Sequence, residues 1–409
     1  MAQQLPQRIE TQCCIAGGGP AGLMLGVLLA RAGVPVVVLE KHVDFLRDFR
    51  GDTIHPSTLE VMGELGWLDE FLALPHQKVR QLSAQFGETR LSMADFSTLP
   101  VRARYIAMMP QWDFLNFLAG KGQKYPGFRL IMEAEATGLI RDDGRVSGVT
   151  AATTAGTLEI RAALTVAADG RGSTLREASG LPLTDFGAPM DVFWFRLPRQ
   201  PDDTEETQGR FDAGRIFVML NRRDYWQCAF VIPKDANERV RAAGLEAFRA
   251  SLRPLLPFDP HRGEAIQDWE QVKLLTVQVN RLQKWWLPGL LVIGDAAHAM
   301  SPVGGVGVNL AVQDAVAASN ILAGPLRAGA LADADLAAVQ KRREFPVRVT
   351  QRLQLAVQTS IIGPALAETG VLKPPLVLRL LTSVPLLNRI PGRLVGLGIR
   401  PEHVRTREV

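Results

Sequence analysis

Residues 11 to 40, TQCCIAGGGPAGLMLGVLLARAGVPVVVLE, leave this chain few ways to fold. An apolar run leads into three glycines and a proline, then into apolar residues at helical spacing that close on Gly33, then into a second apolar run ending at Glu40. The order reads strand, tight turn, helix, strand. Pro20 suits the first helical turn because the N–H it lacks would have no partner there. Two such strands lie parallel and connect right-handedly, so this segment commits the chain to an open α/β sheet.

Gly17, Gly19 and Gly22 form a GxGxxG pattern directly after the strand and at the helix start. Gly17 allows the tight turn, Gly19 lets the backbone approach a pyrophosphate, and Gly22 lets the helix pack on the strand. The unpaired amides and the positive helix end then face the phosphates. Glu40 ends the second strand where it can accept hydrogen bonds from an adenosine ribose, and Lys41 follows it. In this context the pattern predicts dinucleotide binding.

A second stretch, IGDAAHAMSPVGGVGVN at 293 to 309, places Asp295 at the carboxyl end of a predicted strand, where open α/β sheets bind ligands. With no obvious cation near it in sequence, its carboxylate suits polyol hydroxyls such as the ribityl chain of a flavin. Past Pro302, the glycines at 304, 305 and 307 permit close backbone contact with a flat ring. A helix predicted to start near Gly307 points its amides at the negative charge of a reduced flavin. His298 is expected to pack against neighbouring backbone, because no acid partner lies nearby in sequence. In AADGRGSTLREASG, Asp169 again follows an apolar run, and Arg171 and Arg176 suit a phosphate edge.

Elsewhere PSTLEVMGELGWLDEFLAL reads as helix, VRQLSAQF and TRLSMADF as a hairpin around Gly87, and PQWDFLNFLAGKG as helix. Strands follow to about residue 170, with turns at Asp143/Gly144 and Ala155/Gly156. From 188 to 280 the pattern is mostly β, interrupted by a helix around 237 to 256. In DVFWFRL, Val192, Trp194 and Arg196 share one face and Phe193 and Phe195 the other. In DYWQCAFVI, Tyr225, Gln227, Ala229 and Val231 oppose Trp226, Cys228, Phe230 and Ile232, and one set in each strand lines a cavity. The expected architecture is α/β: a discontinuous Rossmann-like cofactor domain (1–80, 100–187 and 275–345), an inserted β-rich domain (81–99 and 188–274) and a C-terminal helical annex (346–409).

Bulk properties narrow the function. The 409 residues exceed what one hydrophobic core usually serves. A net charge of +4 without a basic stripe disfavours nucleic acid. Three cysteines, two of them the adjacent Cys13 and Cys14, form neither a disulfide framework nor a CxxC pair, and read as cytoplasmic and reduced. Six scattered histidines lack ligand spacing, so no metal is expected. The first residues lack the pattern of a secretory signal, and no segment reaches the ~18 uncharged apolar residues of a membrane span. The apolar tail from 352, with Lys373, Arg379, Arg389, Arg393 and Arg400, reads as short helices over the cofactor domain or, alternatively, as a membrane-surface patch admitting a lipophilic small molecule.

GGGPAG, DGRGSTLR and GDAAHAMSPVGGVGVNLAVQDA together resemble, in order and spacing, the three fingerprints of the class A FAD-dependent aromatic hydroxylases, the para-hydroxybenzoate hydroxylase family. The chain is also similar to the ubiquinone-pathway hydroxylases within that family. The resemblance covers roughly residues 10 to 345, and it makes the discontinuous Rossmann-like domain the FAD-binding domain and the inserted β-rich domain the substrate domain. It implies FAD as cofactor and NADPH or NADH as a transient reductant bound in a groove, there being no second strand-GxGxxG-helix unit. It implies that Gly17, Gly19, Gly22, Glu40 and Lys41 hold the ADP moiety, that Arg50 serves catalysis near the flavin and pyrophosphate, and that Gln111 contacts the ribityl chain. Asp169 would serve both FAD and the nicotinamide, Asp295 the ribityl side, and Pro302 the oxygen-reaction side of the ring; Gly305, Gly307, Val308 and Asn309 would offer backbone to the flavin. The implied reaction uses O2, through a flavin C4a-hydroperoxide, to hydroxylate an aromatic or lipophilic electron-rich small molecule, in a monomer or homodimer. The alternatives are a flavin-dependent reductase of an isoprenoid or unsaturated substrate, and a flavin-dependent halogenase built around Lys78, which lacks the expected tryptophans at Cys228 and Phe230.

Overall fold

The structure, a computed structural model, describes residues 7–46, 53–204, 206–212, 214–368, 374 and 385–409. Its first sheet grows outward from Arg8–Ala16, which pairs in parallel with Val36–Leu39 on one side and Gly156–Ala167 on the other. Phe128–Ile131 and Leu290–Val292 extend the two flanks, also in parallel. Continuous apolar runs make these strands because both faces are covered, and every residue of Val36–Leu39 is buried. Ala134–Asp142 and Arg145–Thr153 fold back antiparallel onto Gly156–Ala167, turning at Asp143, Gly144 and Gly156, all at positive φ.

The helices Pro20–Arg31 and Gly307–Arg327 pack on this sheet and on each other, burying Leu23, Val27, Val312 and Val316 together. Each such side chain contributes roughly 1.5–3 kcal/mol through burial. Contrary to the sequence reading, Val303–Arg327 is long and apolar enough to cross a membrane by composition. However, 78% of its apolar window is buried inside the molecule, so its apolarity is that of a core helix.

The second sheet runs in the order Lys273–Leu275, Met190–Pro198, Tyr225–Pro233, Arg215–Asn221, Gln208–Asp212, Gln81–Phe86, Thr89–Asp95. One face buries Phe193, Phe195, Phe217, Trp226 and Phe230 beneath Phe248 of the helix Leu245–Leu252. The other packs Val192, Ile216, Ala229 and Val231 against Val303, Ile362 and Ala365. A three-stranded sheet of Thr53–Ile54, Ile106–Met108 and Gln77–Val79 lies where the chain passes between the two large ones.

Two predicted helices are each broken by a glycine. Gly66, at φ 73°, separates Pro56–Glu64 from Leu68–Leu72, and Gly244, at φ 91°, separates Asn237–Ala242 from Leu245–Leu252. Toward the C-terminus, Asp333–Val357 is one helix that passes through position 345. Beyond the helix Pro385–Gly396, the final residues lie along the first domain: Arg31 Nη1 donates to Thr406 O at 2.8 Å and Val409 N to Arg31 O at 3.1 Å. Lys373 and Arg379 of the basic tail fall outside the described residues.

Candidate active site

The carboxyl ends of three neighbouring strands meet at one place. Gly17 leaves Arg8–Ala16 at φ 106°, and a Cβ there would stand 2.3 Å from Ala168 O and 2.9 Å from Asp169 Cα. Ala168 N donates to Ala16 O at 2.8 Å, and Ile293 N to Ala167 O at 3.0 Å. An ideal Cβ on Gly294, the residue before Asp295, would lie 3.0 Å from Ala21 Cβ and 3.7 Å from Ala311 Cβ. The first turns of Pro20–Arg31 and Gly307–Arg327 therefore close on the turn that carries Asp295.

Among the described residues, neither helix has a side-chain cap, and the first amides of a helix have no acceptor within it. The space beside them is open: a Cβ on Gly19 or Gly307 would meet nothing described within 4 Å, whereas one on Gly22 would stand 1.9 Å from Gly17 O. Two uncapped helix ends beside open space suit anionic and electron-rich groups. Gly305, at φ 62°, is pinned by Thr53, whose Oγ1 donates to Gly305 O at 2.8 Å. The Asn309 side chain is occupied in anchoring, since its Oδ1 accepts from His55 N at 3.0 Å and Thr58 Oγ1 at 2.6 Å.

Two expectations about the charged residues need correction. Asp295 has a cation within reach: Arg171 Nε donates to its Oδ2 at 3.1 Å, from 124 residues away. Arg176 is buried and donates to Ala296 O at 3.0 Å and Arg171 O at 2.7 Å, tying the Asp169 turn to the Asp295 turn. His298 has an acid partner, with Nε2 2.6 Å from Asp314 Oδ2, both groups buried. Burial pushes the Asp314 carboxyl up, but the charges and hydrogen bonds of His298 and Arg343 outweigh it and hold the group below the ordinary carboxylate value. The signal for this partner was legible: Asp314 is a lone carboxylate on an apolar helix, and a buried charge needs a counter-charge.

The remaining site residues fall as follows. Glu40 Oε2 accepts from Gly18 N at 3.1 Å and its Oε1 from His42 N at 3.1 Å. Lys41 Nζ lies 3.5 Å from Glu135, on the surface. Gln111 opens the helix Gln111–Gly122, and Pro302 O accepts from Gly305 N at 3.0 Å. Ser173 caps Thr174–Ser179, and Asp169 supports that helix start, accepting from Ser173 Oγ at 2.5 Å and Leu175 N at 3.1 Å; burial raises its carboxyl above the usual value in spite of those bonds. Arg50 lies outside the described residues.

The sheet face that meets Val303 carries Val192, Trp194, Ala229 and Val231, which decides which alternating set looks toward the loop. A cavity of about 360 Å3, lined by Arg210, Phe217, Met219 and Leu255 among others, opens on the opposite, helix-covered face. Among the described residues, no cluster of His, Cys, Asp and Glu is placed to hold a metal ion.

The family model described as FAD binding domain matches residues 10–353. The 6-methylpretetramide 4-monooxygenase of Streptomyces rimosus is 29% identical over 367 residues, which are 88% of this chain and 87% of that protein. The rifampicin monooxygenase of Streptomyces venezuelae is 26% identical over 74% of this chain, which spans only 61% of that protein's length. In fold, the OxyS anhydrotetracycline hydroxylase from Streptomyces rimosus matches with a TM-score of 0.76 at 24% identity, over 96% of this chain and 77% of that one. With the match running from the first glycine turn through both later fingerprints, the chain belongs to the FAD binding domain family, that of the class A FAD-dependent aromatic monooxygenases.

Proposed function

We propose that this chain, an FAD-dependent monooxygenase by family, uses NADPH or NADH and O2 to hydroxylate an aromatic, hydrophobic small molecule held between the Pro302 loop and the inner face of the second sheet. The observation that carries the reading is the meeting of the Gly17, Asp169 and Asp295 turns under two uncapped helix ends, with an apolar sheet face against the same loop.

The residues fit FAD. The open space at Gly19 and the amides of the first helical turn suit the pyrophosphate, Glu40 the ribose, Asp295 the ribityl hydroxyls, and the Val308 and Asn309 amides the pyrimidine edge. Bound FAD supplies the redox and oxygen-transfer chemistry. The protein supplies placement. The N-terminus of Gly307–Arg327 favours negative charge on its ligand by about 0.3–1 kcal/mol, and more when partly buried. Val192, Ile216, Ala229, Val231 and Val303 keep water from the space above the loop. Arg171 orients Asp295 through one oxygen.

The same reading assigns 1–80, 100–187 and 275–345 to the cofactor, 81–99 and 188–274 to the substrate, and 346–409 to a covering region, in a monomer or homodimer. The three thiols are buried, and burial raises the pKa of each, Cys14 to about 12, which leaves little thiolate to react. The test is turnover with a panel of phenols and fused aromatics under isotopically labelled O2. Label in the product and substrate-stimulated NAD(P)H oxidation are expected. A reduced, unlabelled product, a halogenated one, or NAD(P)H oxidation indifferent to every aromatic would reject the reading.

A further inference from the structure

The residues after 353 lie outside the matched family region, yet one of them reaches the buried core beside the cofactor site. Glu402 is 5% exposed. Its Oε1 accepts from Arg342 Nε at 2.6 Å and lies 3.4 Å from Arg343 Nη1, while its backbone N–H donates to the Gln313 side chain. Arg343, fully buried, turns its Nε to Asp314 Oδ1 at 2.9 Å. The other oxygen of Asp314 accepts from Gly294 N at 3.1 Å and lies 2.6 Å from His298 Nε2. Gly294 and His298 bracket the turn that presents Asp295.

We propose that Glu402 is a positioning residue for the cofactor site: through Arg343 and Asp314 it fixes the turn 294–298, and so aims the Asp295 carboxylate at the ribityl hydroxyls. The inference rests on the reading of Asp295 given above. A guanidinium is a rigid planar fork, so gripping it from the Glu402 side fixes the direction of the bond it gives Asp314. Asp314 is in turn held through both oxygens, and because Glu402, Arg343, Asp314 and His298 are all buried while only Arg342 reaches solvent, a misaligned partner along that path is not replaced by water. Removing Glu402 leaves a buried arginine short of a counter-charge and able to swing off Asp314. The turn then loses its clamp while Arg171, at 3.1 Å, still pulls Asp295 toward itself.

The experiment titrates apoprotein with FAD, following flavin fluorescence, for the wild type, Glu402→Ala, Glu402→Gln, Asp295→Asn and the Glu402→Ala/Asp295→Asn double variant, with an apoprotein melting curve for each. Asp295→Asn is expected to raise Kd. Glu402→Ala is expected to raise it about tenfold in the wild-type background but within about twofold in the Asp295→Asn background, as coupled sites require. Glu402→Gln, which keeps the acceptor oxygen, should recover most of the loss. Equal weakening in both backgrounds, or none in the wild-type background, overturns the proposal. An unchanged Kd for Asp295→Asn rejects the reading of Asp295 itself, and the inference with it. Should Glu402→Ala fail to fold, Glu402→Gln in both backgrounds carries the test, with a smaller rise in Kd and the same dependence on Asp295.

Discussion

Gly17 and Gly19 stand two residues apart and answer to different demands. At Gly17 the backbone is at φ 106° and the nearest obstacle is the carbonyl of Ala168, the residue after Gly156–Ala167, held in place by its N–H bond to Ala16 O. Gly17→Ala should therefore cost more than about 2 kcal/mol of apoprotein stability in urea unfolding. Gly19 has ordinary φ and open space, so Gly19→Ala should leave the apoprotein melting curve unchanged and weaken FAD binding. If Gly19→Ala melts early but binds FAD normally, the space is not a ligand's. His55 makes a separate prediction. Its Nδ1 donates to Val395 O at 2.7 Å and its Nε2 is buried without a partner among the described residues. Burial lowers its pKa from 6.5 to about 4, against the opposing effect of that hydrogen bond. The unfolded chain thus binds the extra proton first, so this stability is present above the unfolded value and is lost as pH falls toward 4, up to about 3 kcal/mol. Unfolding free energies of wild type and His55→Gln between pH 7 and pH 4 should converge as the pH drops. Parallel curves would show that His55 is not held neutral. Asp314, held below the ordinary carboxylate value, adds acid sensitivity only in a lower range.

At the scale of elements, the sequence was legible where a local backbone demand left a local mark. The strand, glycine turn and helix at 11 to 33, the Gly87 hairpin and the start of the long helix at Gly307 are all where spacing puts them. The two broken helices were missed because apolar periodicity survives across Gly66 and Gly244, while the positive φ that breaks each helix has no signature except glycine itself. The charged pairs were missed for another reason. Arg171 is 124 residues from Asp295 and Arg343 is 29 from Asp314, and only the fold brings them together, the first pair at neighbouring turns of the sheet and the second across the packed helices Gly307–Arg327 and Asp333–Val357. The Pro302 loop offers an element-scale test. A Cβ on Gly305 would stand 2.6 Å from Thr53 Oγ1, at φ 62°. Gly305→Ala should break the Thr53 bond, cost roughly 1–2 kcal/mol in urea unfolding and lower flavin retention on gel filtration. Full retention would show that the loop does not carry the ring.

For the whole molecule, one sheet serves two ends through its two faces. Strand alternation puts Ala229 and Phe230 on adjacent residues and opposite sides: Ala229 looks toward Val303 and the loop, while Phe230 packs edge-on against Phe248, with ring centroids 5.7 Å apart. The faces differ in what a substitution can disturb. Ala229→Trp projects bulk into the space assigned to the aromatic substrate without touching the helix-covered core. It should raise KM for the substrate or uncouple NAD(P)H oxidation from hydroxylation, with the flavin spectrum near wild type and a stability loss of about 1–3 kcal/mol, because Ala229 already packs on Val303 and Ile362. Phe230→Ala empties part of the core on the other face and should cost about 3–5 kcal/mol of stability, leaving KM and the product unchanged wherever the protein stays folded. The pair is informative because the two side chains share a strand, so a loosened sheet would move both readouts together. If Ala229→Trp leaves KM and coupling intact, the substrate does not lie on the Val303 face, and the chamber must be sought elsewhere.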